Sequence, residues 1–102
     1  MRCKDLSTLS ILEFLYINRG VWCNRYFKDK LDIKHNLFPD VHEKIFLAKM
    51  KQLINKNKWV TGCPCGCRGD YEITTKGIEK MFELGSKLDI NLPQKTWVDY
   101  RE

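Results

Sequence analysis

Cys63, Cys65 and Cys67 place three thiols within five residues, alternating with Pro64 and Gly66. Thiolates are soft ligands, and Zn²⁺ takes four sulfur or imidazole donors in a tetrahedron. A local set of three therefore needs a fourth ligand from elsewhere in the chain. Cys23, Cys3, His35 and His42 are the candidates, and Cys63, Cys65, Cys67 with Cys23 is the set carried forward. The C-x-C-x-C spacing departs from the paired C-x₂-C of zinc knuckles. The other reading of the same residues is an ordinary loop of free, reduced thiols. If metal binds, a closed four-ligand site would stiffen the loop, whereas three exposed thiolates would sense a thiophilic ion. Oxidation is a third use, and it needs a thiol pKa lowered by a cation such as Arg68.

The second chemically suggestive group is basic. The chain carries 18 Lys+Arg against 13 Asp+Glu, a formal net charge of +5 that suits a polyanionic partner. Helical spacing over residues 40–56 predicts an apolar side of Phe46, Leu47, Met50, Leu53 and Ile54. The other side holds Lys44, Lys49, Gln52, Asn55 and Lys56. On such a face Lys44, Lys49 and Lys56 can contact phosphates, Gln52 can reach a base edge, and Ala48 or Ile45 can lie against thymine methyls. His42, in the first turn, is a further phosphate contact. The same residues also serve simply to keep a surface helix soluble. Catalysis has little support: there are two histidines, His35 and His42, and no paired-carboxylate, phosphate-loop or nucleophile-elbow pattern in a fitting context. A non-enzymatic protein is expected.

These residues need elements to position them. Asp40 is a candidate N-cap for the basic helix, with Glu43 three residues on as its capping-box partner. After Asn57, the β-prone runs Trp59–Thr61 and Asp70–Ile73 flank the Gly- and Pro-containing cysteine loop, which predicts a hairpin. Thr74 or Thr75 can then cap a last helix carrying Ile78, Met81, Phe82 and Gly85 along one side. Upstream, Leu6 to Asn18 reads as a very apolar, central helix capped by Asp5 or Ser7 and stopped near Gly20. A second helix is expected from Asn24 to about Leu31, a connecting turn from Asp32 to Pro39, and a tail beyond Gly85 in which Trp97, Val98 and Tyr100 fold back or meet a second copy.

With 102 residues the chain is expected to be one domain, core 6–88 and tail 89–102. No apolar run approaches the roughly 20 residues of a membrane span. Glu13 interrupts the early apolar stretch, so no signal-peptide pattern follows the N-terminus, and a cytoplasmic location is expected. Five cysteines in such a chain read as thiols or metal ligands rather than a disulfide framework.

The run Leu53-Ile54-x-x-x-x-Trp59-Val60, a hairpin, and then Tyr71-x-Ile73-Thr74-x-x-Gly77 resembles the recognition helix, wing and wing exit of MarR- and PadR-type winged helix-turn-helix regulators. The resemblance implies a mainly α fold with a small β-hairpin (α+β), of about four helices and a two- or three-stranded wing sheet. It also makes Gly20–Cys23 the first small strand. It implies a transcriptional regulator that reads duplex DNA with residues 40–56 through Lys44, Lys49, Gln52, Lys56 and His42, with Arg68 on the wing. The alternative is a winged helix used as a protein-docking or inhibitory module, of a phage or mobile-element kind, aimed at a host protein complex. Its support is the aromatic load of Trp22, Trp97 and Tyr100. Metal-sensing ArsR-type winged helices are similar in principle, but their cysteines lie on a helix rather than a wing. Few residues follow the last helix, so monomer and homodimer both stand open. The metal question has a direct measurement. Elemental analysis of protein purified without chelator should show a near-stoichiometric metal if Cys63, Cys65 and Cys67 belong to a structural site, and less than about half an equivalent of zinc or iron excludes one.

Overall fold

Ser7 opens the first helix by accepting the Ser10 N–H on its hydroxyl at 3.1 Å. In the computed structural model, which describes residues 6–19, 23, 30–62 and 71–89, this helix is α1, Thr8–Ile17. Leu6 and Ile11, which flank the cap at the two positions of a hydrophobic staple, are both buried. Asn18 closes the helix, its Nδ2 donating to the Phe14 carbonyl at 2.9 Å. Gly20, the expected stop, lies outside the described residues.

Next comes a short helix, α2, Ile33–Leu37, where the sequence predicts a connecting turn. Asp32 is the reason. Its carboxylate is buried and accepts the His35 N–H at 2.9 Å, its carbonyl takes the Asn36 side chain at 2.7 Å, and Ile33 is sunk in the core behind it. A capped turn with one fully buried anchor is stable as helix. Of the expected helix from Asn24 to Leu31, residues 24–29 lie outside the described set, and Lys30 and Leu31 form a turn.

The basic helix, α3, runs Glu43–Lys51 and continues without a break into a wide π-type turn, Gln52–Lys56. The Asn57 N–H closes that turn on the Gln52 carbonyl at 3.1 Å, five residues back. Lys58 follows in the left-handed region with φ 59°, and the chain enters β1, Val60–Gly62. β1 pairs antiparallel with β2, Tyr71–Ile73, in the register Val60 with Ile73, Thr61 with Glu72, and Gly62 with Tyr71. Val60, Tyr71 and Ile73 point inward and are buried while Thr61 is exposed, the period-two alternation of a half-buried hairpin. On the other edge of β2, Cys23 exchanges both backbone hydrogen bonds with Tyr71, at 3.1 and 2.9 Å. Of the expected strand 20–23, this one bridging residue lies within the described set. The hairpin loop 63–70 and everything after Asp89, including Trp97 and Tyr100, lie outside it.

The last helix, α4, is Thr75–Glu83, capped by Thr74, whose hydroxyl accepts the Gly77 N–H at 3.0 Å. It ends in a Schellman motif. Gly85, at φ 99°, turns the chain so that its own N–H reaches the Phe82 carbonyl at 3.1 Å and the Ser86 N–H reaches that of Met81 at 3.2 Å.

The described residues thus form an α+β architecture of four α-helices and a two-stranded antiparallel hairpin. α1 packs on α2, α4 and β2, the central position its apolar sequence requires. Tyr16, Phe46 and Tyr71 are the largest fully buried side chains. Phe46 meets Tyr71 edge-on at 6.3 Å and Tyr16 meets Phe82 at 5.9 Å, the T-shaped geometry that ring quadrupoles favour. The Tyr16 hydroxyl donates to the Asp89 carbonyl at 2.7 Å, and Ser86 donates to Glu13 at 2.8 Å, fastening the chain beyond α4 to α1. Among the described residues no helix is long and apolar enough to cross a membrane.

Gly77 is the tightest point. A Cβ there would drive into the Trp59 carbonyl oxygen and sit 2.9 Å from Ile73 Cγ1. Both are core-side atoms without room to retreat, so Gly77→Ala should lower unfolding stability by about 3 kcal/mol or more, read as a drop in the urea midpoint at unchanged m. A near-neutral result would mean that α4 does not press on the strand root.

Candidate nucleic-acid interface

The start of α3 is not where the sequence suggests. Asp40 lies exposed, two residues short of the cap, and the N-cap is His42, whose Nδ1 accepts the Lys44 N–H at 3.1 Å. An imidazole nitrogen stands here where an Asn or Asp oxygen usually does. The capping box built on Asp40 and Glu43 is therefore absent. Glu43 instead opens the helix itself, where a carboxylate complements the positive end of the dipole. His42 remains exposed, but its Nδ1 lone pair is occupied by the helix rather than offered to a partner.

Along the helix, Phe46, Met50 and Leu53 are buried, with Leu47 and Ile54 partly so. Lys49 is buried with them, at 6% exposure. The expectation that it belongs to the outer face fails for a simple reason of spacing. Lys49 is three residues after Phe46 and four before Leu53, and those separations share one side of a helix. The true outer stripe is Lys44, Ala48, Lys51 and Asn55, at separations of four, three and four, and all four are exposed. Lys51 is the member that sequence reasoning missed, although its place seven residues after Lys44 marks it. Lys56 is exposed at the end of the π turn, while Gln52 and Ile45 flank the stripe half-buried.

From residue 43 to 56 the segment holds four lysines and one carboxylate, Glu43. With Lys49 turned inward and Glu43 at the cap end, the outward stripe presents amines, one methyl and one amide. That set can bind phosphate oxygens, approach a base pair closely at Ala48, and present a donor–acceptor pair at Asn55.

Of the metal ligands carried forward from the sequence, only Cys23 lies within the described residues. Cys63, Cys65, Cys67 and Arg68 lie outside the described residues. Cys23 is buried in the sheet beside Tyr71, at 1% exposure. Among the described residues no three His, Cys, Asp or Glu side chains converge in a way that would hold a metal ion. His35 is exposed on α2. The chain matches no protein-family model, no curated protein and no solved structure.

The cap gives a measurable consequence. Replacing His42 with Asn, a preferred N-cap, should stabilise the fold by a few tenths to about 1 kcal/mol, and His42→Ala should cost about 1 kcal/mol. Urea midpoints of the two variants should move in opposite directions. Equal losses in both would show that the imidazole contributes something other than the cap.

Proposed function

We propose that this chain is a winged-helix protein that binds duplex DNA, with α3 and its π turn as the reading helix, and that it acts as a transcriptional regulator. One observation carries the reading: the stripe Lys44, Ala48, Lys51 and Asn55 is exposed along the whole outer side of α3, with no carboxylate in it. The order of elements supports it as well. Among the described residues two helices precede α3, a hairpin follows its C-terminal end and π turn, and Cys23 pairs with that hairpin from a third segment of the chain. That order supports the winged-helix reading, in which one helix stands proud of the body for the major groove.

In this reading Lys44, Lys51 and Lys56 take phosphates, which supplies affinity without sequence information. Ala48 lets the backbone lie close to the base edges and can meet a thymine methyl. Asn55 and the half-exposed Gln52 present side-chain amides of the kind that pair with adenine in the major groove. Lys49, buried on the core side of α3, is not part of the DNA-facing set in this reading.

Neutralising three phosphates sets a salt slope of about −2.7 or steeper in log affinity against log salt, so binding should weaken at least about fortyfold between 50 and 200 mM. Fluorescence anisotropy with a mixed-sequence 20-base-pair duplex measures this. Lys44→Glu with Lys51→Glu should weaken binding by about tenfold or more at fixed salt with the urea midpoint unchanged, because both side chains are solvent-facing. Absence of duplex binding at 50 mM salt, together with a single stoichiometric protein partner in a pull-down, would replace DNA with protein docking as the function.

A further inference from the structure

α1 is apolar nearly all the way round, with Glu13 its one charged residue between Thr8 and Ile17. A helix of that composition is normally buried on every side. Three sides are accounted for: α2, α4 and β2 pack against it, and Ile11, Leu12, Leu15 and Tyr16 are at most 1% exposed. At about 100° per residue, Ser10, Phe14 and Ile17 share the remaining arc. Ser10 and Phe14 are half-buried there, and Ile17 is exposed.

The end of α4 meets this arc. Ser86 donates to Glu13, one turn before Ile17, and Phe82 lies against Tyr16, the residue next to it. Leu84 falls between those two fastened points of the chain. Ile17 and Leu84, at 36% and 41%, are the large hydrophobic side chains left exposed among the described residues, and both lie along the α1–α4 seam. A single exposed apolar residue needs no explanation. Two on one seam, beside an arc without a lysine or arginine, mark a contact surface.

The rim and the stripe say what fits. Around the seam Arg19 and Lys87 stand with Glu83 and Asp89, a balance of two and two in a chain whose formal net charge is +5. A two-fold contact sets a surface against its own copy, so each cation can meet an anion of the partner. The lysine stripe of α3, with no carboxylate, would repel its copy. Along α1 the open arc is small at one end, Ser10, and large at the other, Ile17, two turns on. Antiparallel crossing of two copies near Phe14 therefore seats each Ile17 over the partner's Ser10. We propose that α1 and the end of α4 form the interface of a homodimer, with Phe14, Ile17 and Leu84 at its centre. The interface uses none of the residues assigned to DNA, so it stands or falls apart from that reading.

Sedimentation equilibrium of the full chain tests it. The protein should run at twice its chain mass at about 100 μM and dissociate on dilution. Ile17→Lys with Leu84→Lys should weaken association at least about tenfold while the far-ultraviolet circular dichroism stays that of the unaltered protein, because both side chains face solvent in the single chain. Lys44→Glu with Lys51→Glu should leave the dimer intact. A monomer at that concentration, or a dimer that the two lysines at 17 and 84 do not weaken, overturns the proposal. A monomer whose double-lysine variant is also less stable to urea would overturn it in favour of a cover supplied by another part of the same chain.

Discussion

The Trp59 carbonyl is the point on which the described architecture turns. It accepts the Thr74 N–H at 3.1 Å, and Gly77 is packed directly against it. Its neighbour, the Lys58 carbonyl, takes the Thr74 hydroxyl, and that same hydroxyl caps α4 by accepting from Gly77. Three short polar contacts and one missing side chain thus lock the exit of α3, the base of the hairpin and the first turn of α4 into one joint. The Thr74 hydroxyl both donates and accepts here, so any displacement of one of the three segments breaks its bond to another, and the joint fixes geometry as well as adding stability.

From that joint the rest of the packing follows. β2 leaves it with Tyr71 directed inward, where the ring meets Phe46 of α3 and the backbone pairs with Cys23. α4 leaves it with Met81 buried and Phe82 against Tyr16 of α1. α1, apolar on most of its surface, fills the space between them. The apolar side of α3 is consumed by this core, so the opposite side has to face solvent. That is a geometric outcome of packing one helix on one sheet, and it leaves Lys44, Ala48, Lys51 and Asn55 outward whatever they are for.

Buried Lys49 sharpens the point. A lysine on the core flank of α3 contributes no charge to the outer stripe, so the local field there depends on Lys44, Lys51 and Lys56. The distribution of charge, not its total, is what the fold controls: among the described residues of this helix and its π turn, Lys49 is turned inward while Lys44, Lys51 and Lys56 are exposed. Electrostatic recognition of a polyanion needs that kind of clustering, since isolated surface amines are screened within about a Debye length.

Much of this was legible in the residues. Val60, Tyr71 and Ile73 announce a half-buried hairpin by alternation, Thr74 and Gly77 announce a capped helix, and the apolar spacing of Leu12, Leu15 and Tyr16 announces a central one, because these signals are set by local backbone geometry. What the sequence misread was settled at longer range. Asp40 lost the cap to His42 because the chain entering α3 places the imidazole, not the carboxylate, over the first free amides. Asp32 made a helix out of an expected turn by being buried, and burial is not a local property. Lys49 lay within reach of a stricter count of helical separations, yet its depth was decided by the neighbours of Phe46 and Leu53. The amino-acid order by itself determined the first and last helices, the two hairpin strands and that one helix is basic. Only the tertiary structure decided which of its lysines face water, because that depends on what the other side is packed against.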